Sequence, residues 1–254
     1  MANRSRSRFS GILYTPGFPP GVKWLLISNI AIFVAGYFAQ LLEIDRFLRY
    51  FLLSPYEVTH YGMVWQLATY MFLHGGFGHI IWNMLGLWMF GTNVELTWGT
   101  RRFLNFYFFC GIGAGVCVVL LNYLLPWGSP MSHTLGSSGA IFGILMACAL
   151  LFPDQQVLWA FLIPIKMKYF VMIYGAIAFL MSFQANTGVS EFAHLGGLLF
   201  GYLFVRQMRA KPRFQFDPIS PVQSAYREWK LQRAKKKFQV YLRKQGSDRD
   251  RRVH

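Results

Sequence analysis

The chain has 254 residues, of which 54% are hydrophobic and 18% aromatic, and its formal net charge is +15. Only 10 residues are Asp or Glu. This balance is far from that of a soluble globular domain and indicates a polytopic membrane protein.

Six apolar stretches of mostly helical character follow one another along the chain and predict an all-α membrane bundle with six transmembrane helices. The fourth and sixth stretches fall short of the ~17–25 residues that a lipid-exposed helix needs, which suggests that they are buried inside the bundle. The six stretches are Trp24–Leu42, Phe77–Val94, Phe103–Leu125, Ser138–Phe152, Tyr169–Phe183 and Phe192–Val205.

Two segments need a separate interpretation. The first stretch follows a basic segment, but no A-x-A-like site follows Leu42 and five further stretches come after it, so a retained helix is predicted rather than a cleaved signal peptide. Between the fourth and fifth stretches, the apolar segment Val157–Ile165 is interrupted by Pro164. We interpret it as an interfacial hairpin or a re-entrant segment and not as a seventh crossing.

The distribution of Lys and Arg predicts the orientation of the bundle. Arg4, Arg6, Arg8 and Lys23 precede the first stretch, and fifteen of the 25 Lys and Arg residues lie from Arg206 onward. Positive charge marks the cytoplasmic side, so both termini are expected there, which requires an even number of crossings. The chain then divides into a cytoplasmic N-terminal segment (1–23), a membrane domain (24–205) and a basic cytoplasmic tail (206–254).

In this topology the second, fourth and sixth stretches all begin at the external face. His79 and Asn83 lie near the start of the second stretch, Ser138 at the start of the fourth and His194 near the start of the sixth. These four side chains are therefore expected in one layer, roughly one to two helical turns below the external surface. Polar side chains that converge at one depth in a membrane indicate a functional site.

Ser138 and His194 are the predicted nucleophile and base, because a serine hydroxyl at neutral pH needs a base within hydrogen-bond reach. Asp154 belongs to the other face. Glu191 is expected in the loop three residues before His194, where orienting the base is open to it but burial is not expected, so a Ser–His dyad is predicted. Taken alone, the Gly-Ser-Ser-Gly sequence around Ser138 is also typical of a small-residue packing patch.

Close approach of the fourth and sixth stretches is predicted by two small-xxx-small pairs, Gly139 with Gly143 and Gly197 with Gly201. His194 shares a helix face with the second pair. Phe142 lies one turn after Ser138, where its ring is either packed beside the imidazole or part of an ordinary aromatic core.

His79 and Asn83, four residues apart, point the same way and carry side-chain donors, which together with the Ser138 amide predict an oxyanion hole. Hydrogen bonding between helices is the alternative role for both. His74 is expected to be structural. A metal site is not predicted, because His74 and His79 would lie on different faces of an ideal helix and no HExxH motif accompanies them.

Together these motifs resemble the rhomboid family of intramembrane serine proteases across Trp24–Val205. The resemblance rests on G-x-S-G at Gly136–Gly139, H-x-x-x-N at His79–Asn83, A-H-x-x-G-x-x-x-G at Ala193–Gly201 and Trp65 in the loop before the second stretch. It implies that the nucleophile is Ser138 and not Ser137, that the base is His194, and that His79, Asn83 and the Ser138 amide are the oxyanion donors.

The resemblance also implies a six-helix bundle with a short central fourth helix and a water-filled cavity that opens outward. It implies transmembrane protein substrates, cleaved near helix-destabilising or small residues without metal or cofactor. Two positions depart from the family pattern: Gln66 follows Trp65 where many relatives have Arg, and Phe142 stands where they often have Tyr.

The tail carries apolar residues at helical spacing among many cations over Val222–Lys244. This pattern is typical of a basic amphipathic helix on anionic lipids, while a solvated helix that docks on a partner stays open and nucleic acid is not expected. The three cysteines support neither a disulfide framework nor a redox motif.

The function predicted from the sequence is that of an intramembrane serine endopeptidase that cleaves transmembrane proteins near the external face. A catalytically inactive rhomboid-like protein that binds transmembrane clients and a small-solute transporter are the alternatives. Mobility of the fifth stretch, or of the loop Gln184–Glu191, is the hypothesis for lateral substrate entry. The compact chain favours a prokaryotic plasma membrane.

Overall fold

A computed structural model describes residues 18–159, 162–183 and 191–210, together with Arg233. It contains nine α-helices in these ranges, joined by 3₁₀ turns at Asp45–Phe51 and Tyr70–Phe72 and by one π-helical turn at Leu87–Gly91. The helices are α1 (Pro20–Leu41), α2 (Pro55–Tyr61), α3 (Gln66–Thr69), α4 (Phe77–Gly86), α5 (Thr92–Trp98), α6 (Thr100–Leu124), α7 (Ser138–Leu151), α8 (Met167–Met181) and α9 (Glu191–Ala210).

Helix α7 lies at the centre of the bundle and packs chiefly against α9 and α6, and less extensively against α8. It has 14 residues, and most of them are buried. Glycine and alanine recur along it, which lets the neighbouring backbones approach closely. The expectation of a short, buried fourth helix is therefore met.

The six predicted stretches all coincide with helices, and α4 and α5 form one rod through the π-helical turn between them. The sixth helix differs from the prediction: α9 has 20 residues and runs to Ala210, well beyond Val205. The predicted span was too short because Arg206 and Arg209 end the apolar pattern, although cations are well tolerated in the last turns of a helix.

Two helices in the described part of the chain are long and apolar enough to cross a membrane, Pro20–Leu41 and Thr100–Leu124. Two more are apolar but shorter, Ser138–Leu151 and Met167–Met181. Many large apolar side chains of α1 and α8 are exposed, including Phe38 and Met172. Such surfaces are unfavourable in water and suit contact with lipid.

The segment between α7 and α8 forms a β-hairpin, which was one of the two predicted alternatives. Strands β1 (Gln156–Trp159) and β2 (Ile163–Lys166) are antiparallel, with Gln156 opposite Lys166. At the base of the hairpin, Asp154 Oδ1 lies 3.2 Å from Lys166 Nζ and 3.0 Å from Lys168 Nζ. These pairs connect the hairpin to the start of α8.

A buried carboxylate in the first turn of α5 contacts the start of α1. The oxygens of Glu95 accept hydrogen bonds from the Gly21 and Val22 amides at 2.8 and 2.7 Å and from Thr100 Oγ1 at 2.6 Å. These amides lie in the first turn of α1, where donors have no partner within the helix. A side chain that is distant in the sequence thus caps the start of α1.

The segment between α1 and α4 is organised around Gln66, whose side chain is fully buried. Its Nε2 donates to Glu57 Oε2 at 2.6 Å, and its Oε1 accepts from the Ser54 amide at 3.0 Å. The neighbouring Trp65 donates through Nε1 to the Tyr50 carbonyl oxygen at 3.0 Å. Gln66 therefore bonds to a backbone amide and a carboxylate at the position where many members of the family that the chain resembles have an arginine.

Three predictions fall on residues that the structure does not describe. They are the basic N-terminal segment with Arg4, Arg6 and Arg8, the loop 184–190 that was considered for substrate entry, and the amphipathic tail helix 222–244 apart from Arg233.

Candidate active site

Ser138 and His194 meet across the contact between α7 and α9. Ser138 is the first residue of α7 and His194 lies in the first turn of α9. The Oγ atom of Ser138 is 3.0 Å from Nε2 of His194, which is hydrogen-bond distance. The hydroxyl therefore has a proton acceptor in direct contact.

The glycine pairs account for the close approach of the two helices. A Cβ atom added at Gly197 would overlap the carbonyl oxygen of Gly139, and one added at Gly201 would lie 2.7 Å from the carbonyl oxygen of Gly143. Neither separation is tolerated by real Cβ atoms, so both positions require glycine unless the helices separate. The predicted small-residue contact between the fourth and sixth stretches is present in the structure.

Phe142 stacks on the imidazole of His194. The ring centroids are 4.2 Å apart and the planes are inclined by 7°. Of the two roles considered for this side chain, the structure favours packing beside the base. The contact joins a ring on α7 to a ring on α9 and restricts rotation of the imidazole.

Glu191 contradicts the sequence argument, which expected this side chain to be exposed. Its Oε2 lies 2.9 Å from Nδ1 of His194, and the side chains of His194 and Glu191 are only 12% and 7% exposed. The predicted sixth span began at Phe192, whereas α9 begins at Glu191 itself. Residues three apart on a helix share a face, so the three-residue spacing that left an orienting role open also accounts for the contact, while the expected lack of burial was wrong.

His79 and Asn83 both lie on α4 next to the loop that precedes Ser138. A Cβ added at Gly136 would be 2.6 Å from His79 Nε2 and 3.5 Å from Asn83 Nδ2. Gly136 has φ +112°, a conformation that only glycine adopts readily. Glycine at this position thus allows the loop to pass directly over the two side chains.

Two observations bear on the donors available near Ser138. Nδ1 of His79 is 3.4 Å from the Gly75 amide, so with Nδ1 as acceptor its Nε2 carries a proton and faces Gly136. Asn83 is 6% exposed, and its Nδ2 has no hydrogen-bond partner among the described residues. Buried donors without a partner are rare and suit a group that arrives with a ligand.

The Ser138 amide is a further donor. Because Ser138 opens α7, its N–H is one of those that have no partner within the helix, and the helix dipole favours negative charge there. A hydroxyl, a base, two side-chain donors and a helix N-terminus are thus found on the residues at and beside one end of α7. Such a set has the parts needed for acyl transfer.

His74 and His79 do not lie on one helix, so the geometric reason given against a metal site was wrong. Helix α4 begins at Phe77, so His74 is not on the helix of His79, and their rings contact each other at 5.1 Å between centroids. His74 Nε2 lies 3.5 Å from Ser137 Oγ, which suits the structural role expected for it. Among the described residues, no group of three or more His, Cys, Asp or Glu side chains is arranged to hold a metal ion.

The chain matches both a family model and individual known proteins. A family model for the rhomboid domain matches residues 61–211. The chain is 34% identical over 183 residues to Rhomboid protein 1, mitochondrial, of Saccharomyces cerevisiae, an alignment that covers 71% of this chain and 51% of the relative. It is 32% identical over 141 residues to Rhomboid protease GluP of Bacillus subtilis, covering 56% of this chain and 25% of the relative.

A plant relative aligns over a larger share of the chain. The chain is 28% identical over 204 residues to RHOMBOID-like protein 12, mitochondrial, of Arabidopsis thaliana, which covers 76% of this chain and 59% of the relative. The three alignments thus cover between about a quarter and about three fifths of the length of these curated relatives. Because the match to the family model covers more than half of this chain, the chain belongs to the rhomboid family of integral membrane proteins.

Proposed function

We propose that this protein is an intramembrane serine endopeptidase that cleaves transmembrane proteins near the external face of the membrane. The observation that carries the proposal is the 3.0 Å contact between Ser138 Oγ and His194 Nε2 across α7 and α9. Ser138 is the nucleophile and His194 is the general base. The relatives named above cover this chain only in part, so the activity is argued from these residues and not carried over from them.

The reaction begins when a substrate segment unwinds at its outer end, because an intact helix keeps its carbonyl groups in i to i−4 hydrogen bonds. Ser138 Oγ attacks the carbonyl carbon while its proton passes to His194 Nε2. The imidazolium then donates this proton to the nitrogen of the leaving segment as the C–N bond breaks. In the second half, His194 takes a proton from water, which hydrolyses the acyl-enzyme and regenerates the hydroxyl.

The negative charge that develops on the carbonyl oxygen requires fixed donors. We assign this role to His79 Nε2, Asn83 Nδ2 and the Ser138 amide, whose positions beside Gly136 support it. Donors of this kind commonly contribute ~3–4 kcal/mol each to lowering the barrier. Gly139, Gly143, Gly197 and Gly201 contribute indirectly, because they hold the two helices together.

The proposal includes a topology of six crossings with both termini in the cytoplasm. It rests on the six helices α1, α4 with α5, α6, α7, α8 and α9 and on the distribution of Lys and Arg. In that topology the first residues of α4, α7 and α9 all face the external side. Residence in a prokaryotic plasma membrane stays a prediction, since the relatives include mitochondrial proteins.

The test uses purified protein in liposomes with a generic single-span substrate and a fluorophosphonate probe. Wild type is expected to cleave the substrate and to be labelled by the probe, whereas Ser138→Ala does neither. Ser137→Ala is the matched control, because Ser137 is the adjacent serine and its Oγ contacts His74 instead of His194. This variant is expected to retain both labelling and cleavage.

Two results would overturn the proposal. If folded wild type neither cleaves nor takes up the probe, the protein belongs with the inactive members that bind transmembrane clients. If labelling persists in Ser138→Ala and disappears in Ser137→Ala, the nucleophile has been assigned to the wrong serine.

A further inference from the structure

The side of the His194 ring that faces away from Ser138 is occupied by a buried carboxylate. Glu191 Oε2 lies 2.9 Å from Nδ1 of His194, and the Glu191 side chain is 7% exposed. Ser138 Oγ lies 3.0 Å from the other ring nitrogen, Nε2. Hydroxyl, imidazole and carboxylate are therefore joined through the two nitrogens of one ring.

This arrangement determines which nitrogen carries the proton in the neutral imidazole. An ionised carboxylate can only accept hydrogen bonds, so Nδ1 must be the donor in the contact with Glu191. Nε2 is then left with its lone pair directed at the Ser138 hydroxyl. The opposite tautomer would place a hydrogen on Nε2 and prevent it from accepting the serine proton.

The contact is also rigid. Glu191 and His194 lie three residues apart in the first turn of α9, so the backbone holds them on the same face of one helix. The stacked ring of Phe142 restricts the imidazole from α7. The ring is thus held through Nδ1 and through its face while Nε2 stays available to Ser138.

We propose that Glu191 is a positioning residue for the hydrolytic reaction, so that the site works as a Glu–His–Ser triad and not as the dyad predicted from the sequence. The inference rests on the proposed peptidase function. When the Ser138 Oγ bond to the substrate carbonyl carbon forms, the serine proton moves to Nε2 and the ring becomes an imidazolium. Glu191 stays ionised, stabilises that cation through Nδ1–H and keeps the ring oriented until the proton passes to the leaving nitrogen.

A purely structural role is the competing explanation, because an acidic residue in the first turn of a helix is favourable with respect to the helix dipole. The two roles differ in what they change. A dipole contribution affects the stability of α9, whereas a positioning role affects turnover and the tautomer of His194 in protein that is fully folded.

The experiment compares wild type with Glu191→Asp, Glu191→Gln and Glu191→Ala in liposomes. Activity is compared only for protein preparations whose unfolding temperature equals that of wild type. We expect kcat to fall in the order wild type, Asp, Gln, Ala, with a loss of roughly 10²- to 10⁴-fold for Ala, and KM to stay within about twofold. The second-order rate of Ser138 labelling by a fluorophosphonate is expected to fall in the same order. Partial recovery in Glu191→Asp would come from the charge that Gln lacks.

A second measurement does not depend on substrate or on the Ala variant folding. The ¹⁵N shifts of His194, assigned by their loss in His194→Asn, are expected to report a protonated Nδ1 in neutral wild-type protein. In Glu191→Gln or Glu191→Ala the population of this tautomer is expected to drop.

The failure of this inference is distinguishable from failure of the proposed function. If wild type cleaves and Glu191→Ala keeps kcat within about twofold, Glu191 is structural and the dyad stands. A proton on Nε2 of neutral His194 in wild type would also exclude the triad. If wild type itself neither cleaves nor labels, the peptidase function is what fails.

Discussion

The imidazole of His194 and the phenyl ring of Phe142 lie almost parallel, with centroids 4.2 Å apart and planes inclined by 7°. Phe142 is on α7, four residues after Ser138, whereas His194 is on α9. The stacking therefore couples the position of the base to the helix that carries the proposed nucleophile. Aromatic pairs of this kind contribute ~0.5–1.5 kcal/mol beyond the burial of their area.

Removing the ring at position 142 is expected to slow catalysis without abolishing it. Phe142→Leu should lower kcat by about 2- to 10-fold, which corresponds to the energy of the lost stacking. Phe142→Tyr keeps the ring and should remain close to wild type, as expected from the tyrosine that many relatives have there. Cleavage of a single-span substrate in liposomes measures both, and equal activity of the Leu variant and wild type would exclude a role for stacking.

Substitution of Gly197 is expected to separate the two helices that carry Ser138 and His194. A Cβ at this position overlaps the Gly139 carbonyl oxygen, which is backbone and cannot rotate away. Gly197→Ala should therefore destabilise the protein by ~1–3 kcal/mol, as overpacking typically does, and should reduce fluorophosphonate labelling of Ser138 in the fraction that remains folded. Thermal unfolding and probe labelling measure the two effects.

The control for this variant is Gly78→Ala on α4. Gly78 is exposed and no atom lies within 4 Å of a Cβ added there, so the substitution adds helix propensity without a clash. Labelling should be unchanged and the unfolding temperature equal or higher. A Gly197→Ala variant that behaved like Gly78→Ala would mean that the helices can separate without cost.

The sequence predicted the helical stretches and the residues that meet at the site, because long apolar runs and polar residues at one depth are strong signals. It did not predict the burial of Glu191, since that depended on whether α9 begins at residue 191 or 192, and helix ends are the least reliable part of such a prediction. The hydrogen-bond partners of Gln66 could not be predicted from the sequence either. Its partners Ser54 and Glu57 lie in an irregular segment that no periodic pattern describes.

Asn83 is expected to act on the transition state and not on substrate binding. Its Nδ2 is buried and lacks a partner among the described residues, so no hydrogen bond to another of these residues has to break before Nδ2 donates to the oxyanion. Asn83→Ala should lower kcat by roughly 10- to 10³-fold while KM changes little, because the developing oxyanion loses one donor. Steady-state kinetics in liposomes separate the two parameters. A rise in KM with kcat unchanged would assign Asn83 to substrate binding.

Gln66 is expected to stabilise the segment between α1 and α4. Replacing it with Leu leaves the Ser54 amide and the Glu57 carboxylate without the partners at 3.0 and 2.6 Å. The free energy of unfolding should fall by ~1–3 kcal/mol, the usual cost of leaving a buried polar group unpaired. Thermal unfolding in detergent measures it. Gln40→Leu is the control, since Gln40 is exposed on α1, and a loss as large in that variant would show that the effect is not specific to the buried hydrogen bonds.

Asp154 is expected to make stability depend on pH at the base of the hairpin. Hydrogen bonds from Lys168, and then from Lys166, lower the pKa of Asp154 below its ordinary value of 3.8. A depressed pKa means that folding favours the ionised form, so the stabilisation is complete above the ordinary value and is lost as the pH falls through the depressed one.

The carboxylate is exposed to solvent, so the effect is small and is screened by salt. The unfolding temperature of Asp154→Asn should therefore lie slightly below that of wild type near pH 6 at low salt. The difference should shrink as the pH is lowered below 3.8, and it should vanish in ~1 M NaCl. A difference that persisted under both conditions would mean that Asp154 stabilises the hairpin through something other than its charge.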